Sequence, residues 1–200
     1  MLSKTHSFWQ LAFRPTFLIG TLYSAIAMLA WIGFYSGIIN YPGSMPVLTW
    51  HIHEMILGFI SLIIFGFLFT ATQNWTGIRG VNGVKLQALM TLWFLGRVFA
   101  LSPLNTYWLL LIDVLYLGFS GYLLLPYLKS KSQNRNKIFI LTTIGLICFA
   151  ILASQISINL RAVGLLGVGI VFLVISIIAG RIIPFFTKNA VKSSSSTKNN

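Results

Sequence analysis

The stretch Thr49-Trp50-His51-Ile52-His53-Glu54-Met55-Ile56-Leu57-Gly58-Phe59, TWHIHEMILGF, opens a run that stays apolar as far as Thr72. Two of the three histidines and one of the two acidic residues of the whole chain fall within its first half. Ionisable groups in hydrocarbon are costly, and they normally face the interior of a bundle, where they pair or line a polar cavity. The stretch therefore demands a buried helix, and partners for its polar groups on other helices.

The rest of the chain supplies the setting. Of its 200 residues, 56% are hydrophobic and 8% charged, with a mean hydropathy of +0.85. A soluble domain carries about a quarter charged residues, and this composition would expose large apolar patches to water. The reading is an all-α, polytopic membrane helix bundle. A span needs about 20 apolar residues, and six stretches qualify: 16–36, 50–72, 84–102, 106–128, 138–157 and 160–180. Residues 1–15 read as an interfacial segment, 16–187 as the six-helix transmembrane domain, and 188–200 as a disordered polar tail.

Charge sets an expected orientation. Apart from Arg97 and Arg161, every lysine and arginine lies at one end of the bundle: Lys4, Arg14, Arg79, Lys85, Lys129, Lys131, Arg135, Lys137, Arg181, Lys188, Lys192 and Lys198. By the positive-inside rule both termini are expected to be cytoplasmic, in a multi-pass membrane protein. The net charge of +12 comes from scattered loop residues, so membrane lipid is the expected partner and nucleic acid is not. Cys148 sits alone in an apolar run and reads as a buried structural thiol.

Placed by depth, the unusual side chains collect at the opposite end. His51, His53 and Glu54 open the second stretch, Arg97 ends the third, Asp113 lies about two turns into the fourth, and Arg161 opens the sixth. Glu54 is expected to pair with Arg97 or Arg161, and Asp113 with the other arginine. On a regular helix His51, Glu54, Met55 and Gly58 share a face, while His53 points elsewhere. A His51/Met55 pair suits copper or an iron macrocycle, although methionine at this spacing also serves plain packing. There is no tetrahedral zinc motif, and no nucleophile elbow, phosphate loop or His-Glu-x-x-His. Gly118, Gly121, Gly164, Gly167 and Gly169 read as close helix contacts.

Five segments, in order, resemble the NnrS family: FRPTFLIG (13–20), WHIHEMILGF (50–59), GFLFTATQNWTG (66–77), LWFLGRVFAL (92–101) and GRIIPFFT (180–187). The resemblance covers nearly the whole of residues 8–188. It implies a bacterial inner-membrane protein of the response to nitric oxide and nitrosative stress, associated with haem and copper. Carried over by position, it points to His51, His53, Glu54, Arg97 and Arg181. His51 or His53 is then the expected axial haem or copper ligand, and Arg97 offsets a haem propionate or pairs with Glu54. Typical members are longer and have a second set of spans, so a homodimer or a separate second-half protein is the expected partner. Two other functions fit the same residues: a transporter- or channel-like half with an intramembrane ionisable path, and a structural assembly subunit. Nothing in the residues marks an enzyme.

Overall fold

Among the described residues, each of the six apolar stretches is helical apart from residues at its ends. A helix closes its own backbone hydrogen bonds, which hydrocarbon requires, and the long runs of Leu, Ile, Phe and Ala have neither the strict alternation nor the turn signals of strands. The computed structural model describes residues 7–128, 133–154 and 159–197. A short 3-10 turn, Ser7–Trp9, precedes α1 (Phe13–Tyr35). The second span is one continuous helix in three parts: α2 (Val47–His53), a π-helical segment (Glu54–Ile60) and α3 (Ser61–Thr76). Then follow α4 (Gly83–Ala100), α5 (Thr106–Leu128), α6 (Gln133–Ser154) and α7 (Leu160–Thr197).

Four of these are long and apolar enough to cross a membrane unaided: Phe13–Tyr35, Val47–Thr76, Thr106–Tyr127 and Leu160–Gly180. The α4 helix has 18 residues and includes Lys85, Gln87 and Arg97, and the apolar part of α6 is Leu141–Ala153. The second span is the axis of the bundle: 61% of its most apolar window is buried, against 17% for α1 and for α7. The α1 helix packs on α3, α4 on α5, α5 on α6, and α6 on α7. The core is made of Leu57, Phe65, Leu89, Leu117, Leu146 and Phe149, all fully buried.

Local signals explain the ends. Gly77 closes α3 in the left-handed conformation at φ 73°, its N–H donating to the Gln73 carbonyl, the usual device for ending a helix. Two expectations change. Cys148 is exposed on the bundle surface, not buried. The stretch 188–197 is helical: α7 continues through Pro184 to Thr197, so only residues 198–200 of the expected tail lie outside the described residues. Adding residues to a formed helix avoids the cost of nucleation, and Lys and Ser are tolerated there. Residues 1–6 of the expected interfacial segment also lie outside the described residues.

The α1 and α3 helices pack tightly at Gly66. A methyl group at Gly66 would overlap the Thr16 side chain, which is fully buried and donates to the Ala12 carbonyl at 2.8 Å. Gly66→Val should therefore push α1 off the axial helix. A loss of about 1–3 kcal/mol is expected for such overpacking, read as a lower midpoint in detergent thermal unfolding. Gly169→Ala, where nothing lies within 4 Å of the added methyl, should leave that midpoint unchanged.

Candidate functional site

Residues 51 to 56 are sorted three ways by helix geometry. His51 and Met55 form one column and face α1. The His51 ring stacks on Trp31, with centroids 4.2 Å apart, and Met55 packs in the cluster around Ala27 and Trp50. Ile52 and Ile56 form the next column and face α7, where Gly164 and Gly167 leave room for them. His53 and Glu54 are left pointing into the bundle, toward α4 and α5.

There they meet Arg97 and Asp113. The four residues are only 4%, 0%, 5% and 2% exposed, so water hardly reaches any of them. His53 Nδ1 lies 2.8 Å from Glu54 Oε1, and its Nε2 lies 2.7 Å from Asp113 Oδ2. Arg97 Nη2 donates to Asp113 Oδ1 at 3.0 Å, and Arg97 Nε stands 3.2 Å from Glu54 Oε2 in a looser ion pair. The Tyr23 hydroxyl of α1 donates to Glu54 Oε2. Four carboxylate oxygens thus serve one imidazole, one guanidinium and one phenol.

The proton count follows from this geometry. Both ring nitrogens of His53 face carboxylate oxygens, and a neutral imidazole has only one N–H. A second proton must lie in that row, on His53 or on the carboxyl it faces. Two carboxylates, one guanidinium and that one extra proton sum to zero. Neutrality is what a low-dielectric site requires, because an unpaired ion there costs several kcal/mol.

The backbone is shaped around the network. The π-helical turn widens the helix at Glu54–Ile60, and Trp93 Nε1 of α4 donates to the Gly58 carbonyl at 2.7 Å. Single π turns are frequent at functional sites. Trp93 also stands against the Tyr23 ring at 5.2 Å and lies 5.7 Å from the Arg97 guanidinium carbon. Gly58 is necessary: a methyl group there would come within 2.8 Å of Arg97 Nη1, Glu54 Oε2 and the Tyr23 ring. In the neighbouring loop, burial and the Glu54 charge hold the Tyr41 phenol above its ordinary pKa.

The expected face is corrected here. Glu54 lies about 60° from His51 and about 100° from His53 on a regular helix, which favours the His51 grouping. The bundle interior, however, falls between His53 and Glu54, and their side chains converge on it. The expected pairing also changes. Arg97 takes both acids, whereas Arg161 is exposed at the start of α7 and forms no ion pair among the described residues. The side chain of Arg181 lies outside the described residues. Sequence reasoning missed Tyr23 and Trp93. Neither stands out by type in a chain with 7 tyrosines and 6 tryptophans.

His51 is set apart from this network. Its Nδ1 is buried without a hydrogen-bond partner, as are Trp31 Nε1, Trp50 Nε1 and Arg97 Nη1. Among the described residues no group of three or more His, Cys, Asp or Glu side chains is arranged to hold a metal.

Removing Arg97 leaves two carboxylates around one proton. Arg97→Met should therefore destabilise by about 3–5 kcal/mol, while Asp113→Asn should cost less because Glu54 and Arg97 still balance. The double variant should be more stable than the sum of the single losses implies, a coupling measurable by thermal unfolding in a double-mutant cycle.

A sequence profile described as NnrS protein matches residues 7–200. No curated protein and no solved structure matches the chain. The profile spans almost the full length and includes every residue of the network, so the chain belongs to the NnrS family.

Proposed function

We propose that this chain is an inner-membrane protein of the nitrosative-stress response, with its basic end in the cytoplasm, and that it associates with haem through His51. Family membership supports the setting. The observation that carries the ligand assignment is the orphaned Nδ1 of His51. Buried polar atoms are nearly always satisfied, and this is the imidazole nitrogen left over.

Of the two groups that the family resemblance implies, the residues support haem better than copper. A haem would be held by an imidazole of this chain, and His51 would offer one on the axial helix, its ring steadied by Trp31. A copper ion held by this chain alone needs several ligands, and among the described residues no group of three or more His, Cys, Asp or Glu side chains is gathered for one. His53 is a poor ligand because both of its nitrogens are engaged by carboxylates. Arg97 is already paired with Glu54 and Asp113 inside the bundle, which disfavours it as the partner of a haem propionate even though its Nη1 is unpartnered. Haem, when bound, supplies an iron that takes nitric oxide. The chain's own part is to present one imidazole and to keep a neutral, rigid network behind it.

A second reading rests on a different observation. A cavity of about 10 Å³, room for a single water, is lined by His53, Asp113, Thr106 and Met45 among others. A water there reaches the shared proton, as an ionisable path through the membrane requires.

Protein purified in mild detergent from haem-fed cells should show a Soret band that His51→Ala removes. His53→Ala should retain the band in whatever fraction stays folded. A colourless preparation, or loss of the band only in His53→Ala, would overturn the His51 assignment. The second reading predicts proton flux in proteoliposomes that Asp113→Asn abolishes.

A further inference from the structure

We infer that the basic end of the bundle holds an anionic phospholipid, with one acyl chain in the groove between α1 and α4 and the phosphate at Arg14 and Arg79.

Two features meet on one short segment. Trp9 lines an apolar groove of about 340 Å³ together with Ile19, Met90, Thr91, Trp93 and Phe94. The next two residues, Gln10 and Leu11, line a polar cavity of about 510 Å³ with Gln73, Gly77 and Arg79. An apolar slot and a polar, cationic pocket therefore lie to either side of three consecutive residues. That is the layout of a lipid's chain and its headgroup.

Charge selects the sign of the headgroup. The chain has two acidic residues, and both are consumed by Arg97 and His53 in the buried network. No carboxylate side chain is left to neutralise the exposed Arg14 and Arg79. Arg14 follows Leu11, a wall of the polar pocket, and its backbone N–H donates to the Leu11 carbonyl at 3.1 Å; its Nη1 donates to the Ser7 carbonyl at 2.5 Å, and a guanidinium has five N–H donors in all. A phosphate diester in the pocket that Arg79 lines, reached also by Arg14 at the start of α1, is a match in charge and in hydrogen-bonding capacity, and basic pockets between spans on the cytoplasmic side bind anionic lipids.

The groove wall also touches the site already described. Trp93 lines the groove and donates from its indole N–H to the Gly58 carbonyl. A chain seated there packs against the indole that braces the π-helical turn.

The test uses tryptophan fluorescence in vesicles of phosphatidylcholine doped with phosphatidylglycerol, one or the other carrying dibrominated acyl chains. Bromine quenches indoles on contact. At equal mole fraction the brominated anionic lipid should quench more than the brominated zwitterionic lipid, with a preference on the order of tenfold for a site with two arginines. Trp9→Phe should lower that excess, the Trp93 indole in the same groove accounting for what is left. Arg14→Gln/Arg79→Gln should abolish it, and Arg14→Lys/Arg79→Lys should restore much of it, which separates loss of charge from loss of fold. Thr91→Phe, filling the groove, should abolish it with both arginines in place. Equal quenching by the two lipids overturns the proposal, and so does an excess that survives the double glutamine variant.

Discussion

The structure depends on one guanidinium held between two carboxylates where water cannot reach. Arg97 comes from α4, Glu54 from the axial span and Asp113 from α5, so the contact ties three helices at one depth. In water such pairs contribute little. In hydrocarbon the alternative to pairing is an exposed ion in oil, so the network resists being pulled apart far more than its net gain from forming would imply. Its main effect is on register. Sliding any one of the three helices by a turn would strand a charge, whereas sliding apolar surfaces past each other is comparatively cheap.

His53 completes this arrangement in a way that a third pure cation would not. It lies between the acids and bonds to both, at 2.8 and 2.7 Å. The network is neutral only with one proton resident in that row. That fixes its charge without fixing on which atom the proton rests. The same geometry removes His53 from the pool of metal ligands. Two histidines a single residue apart thus have different chemistry. One is locked by carboxylates; the other stacks on an indole with a nitrogen to spare.

Much of this was legible in the sequence, because the physics of oil is strict. Low charge density and long apolar runs leave helices as the only open-chain solution, and two acids in such a chain must find cations. Depth alone brought Glu54, Arg97 and Asp113 together. Partner choice was not legible. Arg97 and Arg161 sit at similar depth, and only the packing of α4 against α5 decides between them. Nor was the face of the axial helix: Glu54 lies about 60° from His51 and about 100° from His53, so the helical wheel grouped it with His51, whereas the interior falls between His53 and Glu54 and the bundle chose His53. Tyr23 and Trp93 were invisible for another reason. Aromatic residues are common here, and a phenol or indole becomes a network member only through what stands opposite it.

Gly58 connects these levels. Its lack of a side chain lets Arg97 and Tyr23 approach the axial helix, and its carbonyl, within the π-helical turn, is taken up by Trp93. A regular α-helix would use its carbonyls within its own ladder. The π turn loosens that ladder at the depth where the neighbouring helix provides an indole donor. The irregular backbone and the buried charges therefore support each other: the wider turn makes room for the guanidinium, and the indole that stands near the guanidinium also satisfies the carbonyl. A chain that kept Arg97 and Asp113 but lost either the glycine or the indole would retain the charges without the space or the hydrogen bond that holds them in place.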